Sequence, residues 1–393
     1  MTDTADWLVE SVFPVGVPVR QWVLSVPWKL RYLLAKDGKL KRKALKIFLS
    51  EVFRLLCRLA KAGAKSKGGA VTSVQRFGSS LNLNVHLHCL VLDGVYDGGI
   101  FRQAASPTSG DLEELVERVA KRIVKMVRRS GYELELDEGM QGVGKEEEAS
   151  VFDGVQAASI KGMLAFPGPD GGFRRVKLIG KKEWKPKESS PQSAEYKGFS
   201  VHAAVKIGGH NRKGLAQVCR YVLRPPFSTE RLEVDGTGRV VYGLRKPRGD
   251  GATHLVMEPM EFIEKLSALV PPPRSHLVHY SGVLAPNSTW RKRKKEEKER
   301  EGPEKAEGSV KRRRDWAELL QKTFGIDALA CAKCGGRMKL IAMIKKASTI
   351  RKILQAMGYA VDEIASASEA IVPRSGVDPP EADNEYAEPE SQV

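Results

Sequence analysis

Two of the seven histidines, His86 and His88, lie two residues apart in an apolar segment. The valine, leucine and cysteine around them favour a β-strand, and alternate residues of a strand project from the same face. We therefore expect both imidazoles on one face of a sheet, while Val85 and Leu87 pack into the core. Two converging neutral imidazoles supply half of a divalent-metal site. The alternative is a pair of polar side chains on a half-exposed strand.

A second polar group lies on a segment with helical periodicity, residues 211–223, which ends before two prolines because proline cannot continue a helix. The polar side of this helix carries, at spacings of three and four, Lys213, Gln217, Arg220, Tyr221 and Arg224. A tyrosine hydroxyl can attack a DNA phosphate if a metal ion and cations stabilise the charge on the phosphoryl oxygens. Tyr221 is therefore a candidate nucleophile. The alternative is a half-buried tyrosine beside surface arginines.

Two blocks of this sequence resemble the signature blocks of a known family. The first block is Gln75–Gly78 with Leu81–His88, and the second is Cys219–Pro226. Together they resemble the rolling-circle HUH transposases, and most closely the insertion-sequence-91 type, also called the two-tyrosine family. The resemblance extends over about residues 1–358 through further phrases at Gln21–Pro27, Gly282–Asn287 and Cys331–Met338.

The resemblance implies an enzyme that nicks and rejoins single-stranded DNA from the ends of its own mobile element. His86 and His88 would match the metal-binding pair, with Mg²⁺ or Mn²⁺ as the expected ion. Tyr221 would match the nucleophile, which forms a 5′-phosphotyrosine bond and releases a 3′-hydroxyl. The residues expected to contact DNA are Arg76 in the first block and Lys213, Arg220 and Arg224 in or near the second.

The chain departs from the family pattern at Gln217. Members named for two tyrosines place them four residues apart on this helix, and Gln217 occupies the earlier position. The chain therefore resembles single-tyrosine members, in which Tyr221 acts twice or the second subunit of a homodimer supplies another tyrosine. Because Gln217 faces the same way as Tyr221, we expect it to be the third metal ligand. His202 and Gln75 are the competing candidates.

A second departure concerns zinc. Relatives usually begin with a cysteine-rich zinc module, so we expect residues 1–20 to be a remnant segment that joined a missing module. Near the other end, Cys331 and Cys334 resemble one knuckle of a zinc ribbon. Structural zinc takes four ligands, so His276 and His279 or a partner chain would have to complete a Zn²⁺ site. The alternative is a turn without metal.

The pattern of elements predicts an α+β fold with a mainly antiparallel sheet flanked by helices and a small C-terminal cysteine-containing appendage. The resemblance implies that this sheet is HUH-endonuclease-like. Strands are expected at 21–26, 70–75, the histidine segment up to 93–94, 199–205, 231–234, 239–242 and 253–257. Helices are expected at 29–64 with a break at 37–38, and at 111–129, 211–223 and 260–270, and Ser109 and Asp111 are the candidate caps of the helix at 111–129. The segments 133–150 and 181–197 are expected to be a surface insertion and a loop.

The expected domains are a catalytic domain at 21–289, a basic charged linker at 290–315, the appendage at 316–358 and a disordered acidic tail at 359–393. The net charge is +17, which favours binding to nucleic acid. The sequence has no apolar run long enough for a membrane span and no secretory signal, and its odd number of cysteines favours the reducing cytosol. We therefore expect a bacterial, cytoplasmic, nucleoid-associated protein. The alternatives are an HUH replication initiator or relaxase, and a truncated copy that only binds DNA.

Overall fold

The structure is a computed structural model that describes residues 2–132, 151–166, 174–182, 192–248, 250–272, 275–291, 327, 329–331, 334–339, 352–353 and 355–356. The chain divides into two compact units, Met1–Gly302 and Pro303–Val393. The expected insertion at 133–150, nearly all of the charged linker and the acidic tail lie outside the described residues. The domain boundaries given above stay predictions.

The first unit contains both helices and strands. Its helices are α1 (Thr2–Trp7), α2 (Trp28–Lys36), α3 (Gly38–Leu59), α4 (Ser109–Arg129), α5 (Val151–Ile160), α6 (Arg212–Val222) and α7 (Pro259–Leu269). A short π-helical segment, Leu8–Val12, follows α1, and a 3-10 turn covers Thr229–Arg231. The strands are β1 (Val19–Ser25), β2 (Gly69–Phe77), β3 (Leu83–Leu92), β4 (Gly94–Asp97), β5 (Ile100–Gln103), β6 (Lys177–Ile179), β7 (Ser193–Tyr196), β8 (Phe199–His202), β9 (Lys206–Ile207), β10 (Leu232–Val234), β11 (Val240–Gly243), β12 (His254–Met257) and β13 (Val278–Gly282).

The main sheet has the strand order β13-β2-β3-β1-β8-β7, and β9 also pairs with β1. Each of these pairs is antiparallel. The predicted α+β fold, with a mainly antiparallel sheet flanked by helices, is confirmed. The histidine segment forms β3, which lies between β2 and β1 near the centre of the sheet.

The two faces of the main sheet carry separate cores because alternate residues of each strand point to opposite faces. On one face, Trp22, Val85 and Leu87 belong to a core that also contains the apolar stripes of α2, α3 and α4. On the other face, Val71 and Leu90 pack in a core with α1, the π-helical segment and α6. Helix α6 therefore covers the sheet face from which the two histidines project.

Side-chain caps set the ends of the helices. Asp37 separates α2 from α3, because its carboxylate accepts hydrogen bonds from the backbone N–H groups of Lys39 and Leu40 at 2.6 and 3.0 Å. We expected Ser109 or Asp111 to cap α4, but the N-cap is Thr108, whose extended backbone places its hydroxyl to accept from Asp111 N at 3.2 Å. Asp111 completes a capping box with Thr108, and Ser109 is already helical.

A smaller antiparallel sheet has the order β10-β11-β12-β6 and its own apolar core, which includes Leu81, Tyr242 and Leu255. The predicted strands at β10, β11 and β12 are confirmed. The prediction of a loop over 181–197 is wrong at its end, where β7 pairs with β8 as the outer strand of the main sheet. The predicted strand at 199–205 ends at His202 as β8. The sequence analysis also missed α1, α5, β4, β5, β6, β9 and β13. In the part of the chain that the structure describes, no helix is long and apolar enough to cross a membrane.

Candidate active site

Strand β3 holds the two histidines side by side. His86 lies opposite Gln75 of β2 and Ser25 of β1. His88, two residues further along β3, lies opposite the residues two positions before these on the neighbouring strands. Directly opposed residues of antiparallel strands share a face, so Gln75 projects beside His86. The two imidazole ring centroids are 4.8 Å apart. The structure therefore brings the predicted histidine pair together.

Hydrogen bonds orient both imidazole rings. His86 Nδ1 lies 2.8 Å from the backbone carbonyl oxygen of Asn84, and because a carbonyl only accepts, Nδ1 carries the proton and Nε2 keeps its lone pair. The side-chain nitrogen Nε2 of Gln21 lies 2.8 Å from His88 Nδ1 and donates to it, so the proton of the neutral His88 ring is on Nε2. A half-turn of the Gln21 amide, which exchanges its oxygen and nitrogen, would place the proton on Nδ1 and leave the lone pair on His88 Nε2. That Nε2 atom is buried without a hydrogen-bond partner among the described residues.

Both histidines are neutral at neutral pH. Burial, and then the positive charge of a protonated His86, lowers the pKa of His88 to about 3. Burial also lowers the pKa of His86, with a smaller contribution from the Arg31 guanidinium, although the bond to Asn84 acts in the opposite direction. The neutral imidazole is the form that ligates metal ions. The environment therefore keeps the two rings in the state that a metal site requires.

Helix α6 places Tyr221 over the histidine pair. Its buried side chains, Leu215, Cys219 and Val222, face the sheet, so its last turn carries Tyr221 to the edge of this apolar contact. The ring centroids of Tyr221 and His88 are 5.9 Å apart in an edge-to-face arrangement. Tyr221 is 40% exposed, so part of this residue is accessible to a macromolecular substrate.

Gln75 joins the end of α6 to the sheet. Its Nε2 donates to the carbonyl oxygen of Val222 at 2.8 Å, and the carbonyl oxygen of Tyr221 lies 3.4 Å from the same nitrogen. These acceptors identify the nitrogen end of the amide, because two carbonyl oxygens cannot donate. The Oε1 atom of Gln75 is buried, and none of the described residues donates a hydrogen bond to it.

Two arginines lie against the Tyr221 ring. The Arg224 Cζ atom is 4.5 Å from its centroid, and the Arg245 Cζ atom is 5.5 Å from it. Arg224 was predicted as a DNA contact, whereas Arg245 was missed. Arg245 lies two residues after β11 of the smaller sheet and outside both signature blocks, so no pattern in the sequence links it to Tyr221.

The remaining polar residues of α6 lie elsewhere. Gln217 is exposed and lines a surface depression beside α1 that is also lined by Lys213, Arg220, Asp6 and Glu10. Arg220 pairs with Asp6 at 3.6 Å. Lys213, Gln217 and Arg220 therefore form a separate cluster with acidic neighbours. The predictions that Gln217 ligates a metal and that the two cations contact DNA stay open.

His202, the competing metal ligand, lies on β8. Val23 of β1 pairs with His88 on one side and with His202 on the other. One whole strand therefore separates the two histidines, whereas Gln75 lies directly beside His86.

Arg76 lies in the protein interior. It is 3% exposed, and its guanidinium donates to the carbonyl oxygens of Ala35, Leu269 and Val270 at 2.9, 3.1 and 3.3 Å. Burial lowers the pKa of Arg76 to about 10. The register of β2 and β3 shifts between Gln75 and Phe77, which is where Arg76 leaves the regular alternation. This placement gives Arg76 a structural role and offers no support for the DNA contact predicted there.

The described residues contain no group of three or more His, Cys, Asp or Glu side chains that could hold a metal ion. The histidine pair therefore needs a ligand of another type. In the second unit, Cys331 is half-buried and Cys334 is exposed, within a turn closed by bridge pairing of Ala330 with Arg337. The zinc ion expected at this turn stays a prediction.

Comparison with known proteins identifies one family. The model of the family Y2_Tnp, described as "Putative transposase", matches residues 69–293. This range includes both histidines, Tyr221 and both arginines that lie against its ring. No curated protein and no solved structure matches the chain.

Proposed function

The chain belongs to the transposase family whose model it matches over more than half its length, and on this premise we propose that it nicks and rejoins single-stranded DNA through Tyr221. The proposed type is the insertion-sequence-91 HUH transposase with a single tyrosine. The observation that carries the proposal is that an accessible tyrosine, two neutral histidines and two arginines meet at one place although they come from distant segments. DNA is the partner of a transposase, and the net charge of +17 suits a polyanion.

A divalent metal ion fits the donor atoms at this place. His86 Nε2 and Gln75 Oε1 are lone-pair atoms on one face of the sheet, and His88 Nε2 becomes one when the Gln21 amide turns its oxygen towards His88 Nδ1. Gln75 Oε1 and His88 Nε2 are buried without a partner in the described part of the chain. We propose that these residues hold Mg²⁺ or Mn²⁺, with Gln75 preferred to Gln217 and His202 as the third ligand. An oxygen ligand suits both ions. When bound, the ion would act as a Lewis acid that polarises a phosphoryl oxygen.

The proposed step is a transesterification at a DNA phosphate. The Tyr221 hydroxyl oxygen forms a bond to phosphorus, the bond from phosphorus to the 3′ oxygen breaks, and the products are a 5′-phosphotyrosine and a free 3′-hydroxyl. The phenol loses one proton and the leaving oxygen gains one, so no water or nucleotide is consumed. Arg224 and Arg245 lie where they can neutralise the charge that develops on the phosphoryl oxygens.

Rejoining is the reverse reaction with a different 3′-hydroxyl. That hydroxyl attacks the phosphotyrosine, and Tyr221 is released. A single tyrosine can therefore complete both steps in succession, or the second subunit of a homodimer can supply another. A replication initiator or relaxase of the HUH type would use the same step, and the family match favours the transposase. Residues 21–289 form the proposed catalytic domain, with the region that carries Cys331 and Cys334 as a separate appendage.

Covalent trapping tests this proposal. Purified protein would be mixed with labelled single-stranded DNA from the ends of its element in the presence of Mn²⁺ or Mg²⁺ and then denatured in SDS. We expect an SDS-resistant adduct that is absent with Tyr221→Phe, with His86→Ala and with EDTA. Tyr280→Phe is the matched control and should form the adduct. An adduct that survives Tyr221→Phe would refute the assignment.

A further inference from the structure

A cavity of about 500 Å³ lies next to Tyr221. It is half open to solvent and is lined by the end of β2, the segment that follows α6 and the end of α7. Its wall is mainly apolar and includes two aromatic rings and two consecutive prolines, Phe77, Phe227, Pro225 and Pro226. A cavity of this size and lining is typical of sites for small organic groups.

Arg224 separates the cavity from the tyrosine. Its guanidinium lies 4.5 Å from the Tyr221 ring centroid and 5.6 Å from that of Phe77, which lines the cavity. A ligand group in the cavity would therefore be a near neighbour of any phosphate that Tyr221 attacks. Arg224 can also bind that phosphate, so a single side chain would contact both the group in the cavity and the phosphate that Tyr221 attacks.

Two buried polar atoms in the cavity wall lack partners. Among the described residues, Arg224 Nε has no acceptor and Gln75 Oε1 has no donor, and Gln75 is only 2% exposed. Unpaired buried polar groups are costly and usually have a partner. We have assigned Gln75 Oε1 to the metal ion, so the unpaired donor of Arg224 is the polar group that remains for a ligand in the cavity.

We propose that this cavity receives one unstacked nucleobase of the DNA strand whose phosphate reaches Tyr221. This inference rests on the proposed function and adds the reason for a single-stranded substrate. A nucleobase has two apolar faces that stack on aromatic rings and an edge with acceptors for the guanidinium group of Arg224, which lines the cavity. A base inside a duplex is already stacked and paired, so it cannot enter without being extruded. The positive charge of Arg224 at the cavity and of Arg245 beside the Tyr221 ring suits the phosphates that flank such a base.

Binding of DNA with and without bases tests the proposal. The protein would carry Tyr221→Phe so that no cleavage occurs, and the probes would be a thymidine oligonucleotide and a wholly abasic oligonucleotide, each about eight nucleotides long. We expect the base-containing probe to bind about 10-fold more tightly, the preference expected for one stacked base. Absence of this preference in the parent protein would overturn the proposal.

Two variants locate that preference in the cavity. Phe227→Leu keeps the apolar volume but removes an aromatic face. Val270 lines the cavity and is 54% exposed. Val270→Trp would therefore narrow the cavity, and the exposed position can accept the larger side chain without disturbing the fold. We expect both variants to lose the preference for bases and to bind the abasic probe as the parent does. Phe166→Leu, at an exposed phenylalanine that does not line this cavity, is the matched control and should keep the preference.

The outcomes separate this inference from the proposed function. Unchanged preference in both variants, or equal weakening of both probes, would show that the base does not occupy the cavity. Thermal unfolding of each variant would identify a loss that comes from misfolding. Covalent trapping with the native protein tests the tyrosine independently, so an adduct with an unchanged preference would remove the base site and leave Tyr221 assigned. If the two cavity variants lose the preference for bases but the native protein forms no adduct, the base site would stand and the assignment of Tyr221 as the nucleophile would fall.

Discussion

Tyr221 receives its chemical environment from its own helix end and from two regions that are distant in the sequence, the strands β2 and β3 and the segment after β11. The histidines come from β3, Gln75 from β2, Arg224 from the end of α6 and Arg245 from the smaller sheet. The histidine pair and the tyrosine could be predicted from the sequence, because their spacing and periodicity are local. Arg245 could not, because its position depends on how the smaller sheet packs beside α6.

Arg245 provides the first residue-scale prediction. We expect Arg245→Ala to slow adduct formation by about 10²-fold, because it removes a cation from the phosphate that Tyr221 attacks. Arg239→Ala is the matched control, since Arg239 lies beyond the other end of β11 and pairs with Asp235. Single-turnover trapping with the labelled strand measures both rates. Equal rates in the two variants would mean that Arg245 plays no part in the step.

The third metal ligand provides the second residue-scale prediction. We expect Gln75→Ala to weaken Mn²⁺ binding by about 10- to 100-fold, the usual effect of losing a group that supports a metal site, and Gln217→Ala to leave it unchanged. Titration of Mn²⁺ followed by electron paramagnetic resonance measures both affinities. If Gln217→Ala weakens Mn²⁺ binding and Gln75→Ala does not, the third ligand is Gln217, as the helix spacing predicted, and not Gln75.

At the scale of elements, the sequence predicts the long and strongly patterned segments best. Strands β1 to β3 and helices α3, α4 and α6 carry apolar residues at the periods of their own geometry. Strands β6, β7 and β13 have three to five residues with mixed polarity. Such short strands form because a neighbouring strand offers an edge, which is tertiary information that no local pattern contains.

The cap of α4 gives a prediction at this scale. We expect Thr108→Ala to lower the free energy of unfolding by about 1 kcal/mol, because it removes the side-chain acceptor of the capping box. Ser109→Ala, at the first helical residue, should cost less. Urea denaturation of the two variants measures the difference. If Ser109→Ala lowers the free energy of unfolding more than Thr108→Ala does, Ser109 is the N-cap of α4, as expected from the sequence alone.

At the scale of the whole molecule, charge governs the encounter with DNA. The chain carries 65 lysine and arginine residues against 48 acidic residues, so binding to a single strand should release counterions. If about five phosphates are contacted, raising the salt concentration from about 50 to 200 mM should weaken binding roughly 10²-fold. Fluorescence anisotropy with a labelled oligonucleotide measures this dependence. Binding that is insensitive to salt would contradict the expected role of the net charge.

The central claim is that Tyr221 becomes covalently attached to DNA, and a peptide map of the trapped adduct tests it most directly. Trypsin cleaves after Arg220 but not between Arg224 and Pro225, so the peptide Tyr221–Arg231 contains a single tyrosine. After nuclease digestion, we predict that the mass of the nucleotide remnant lies on this peptide, or on Gly214–Arg231 if the modification blocks cleavage. A remnant on any peptide without Tyr221 would contradict the account.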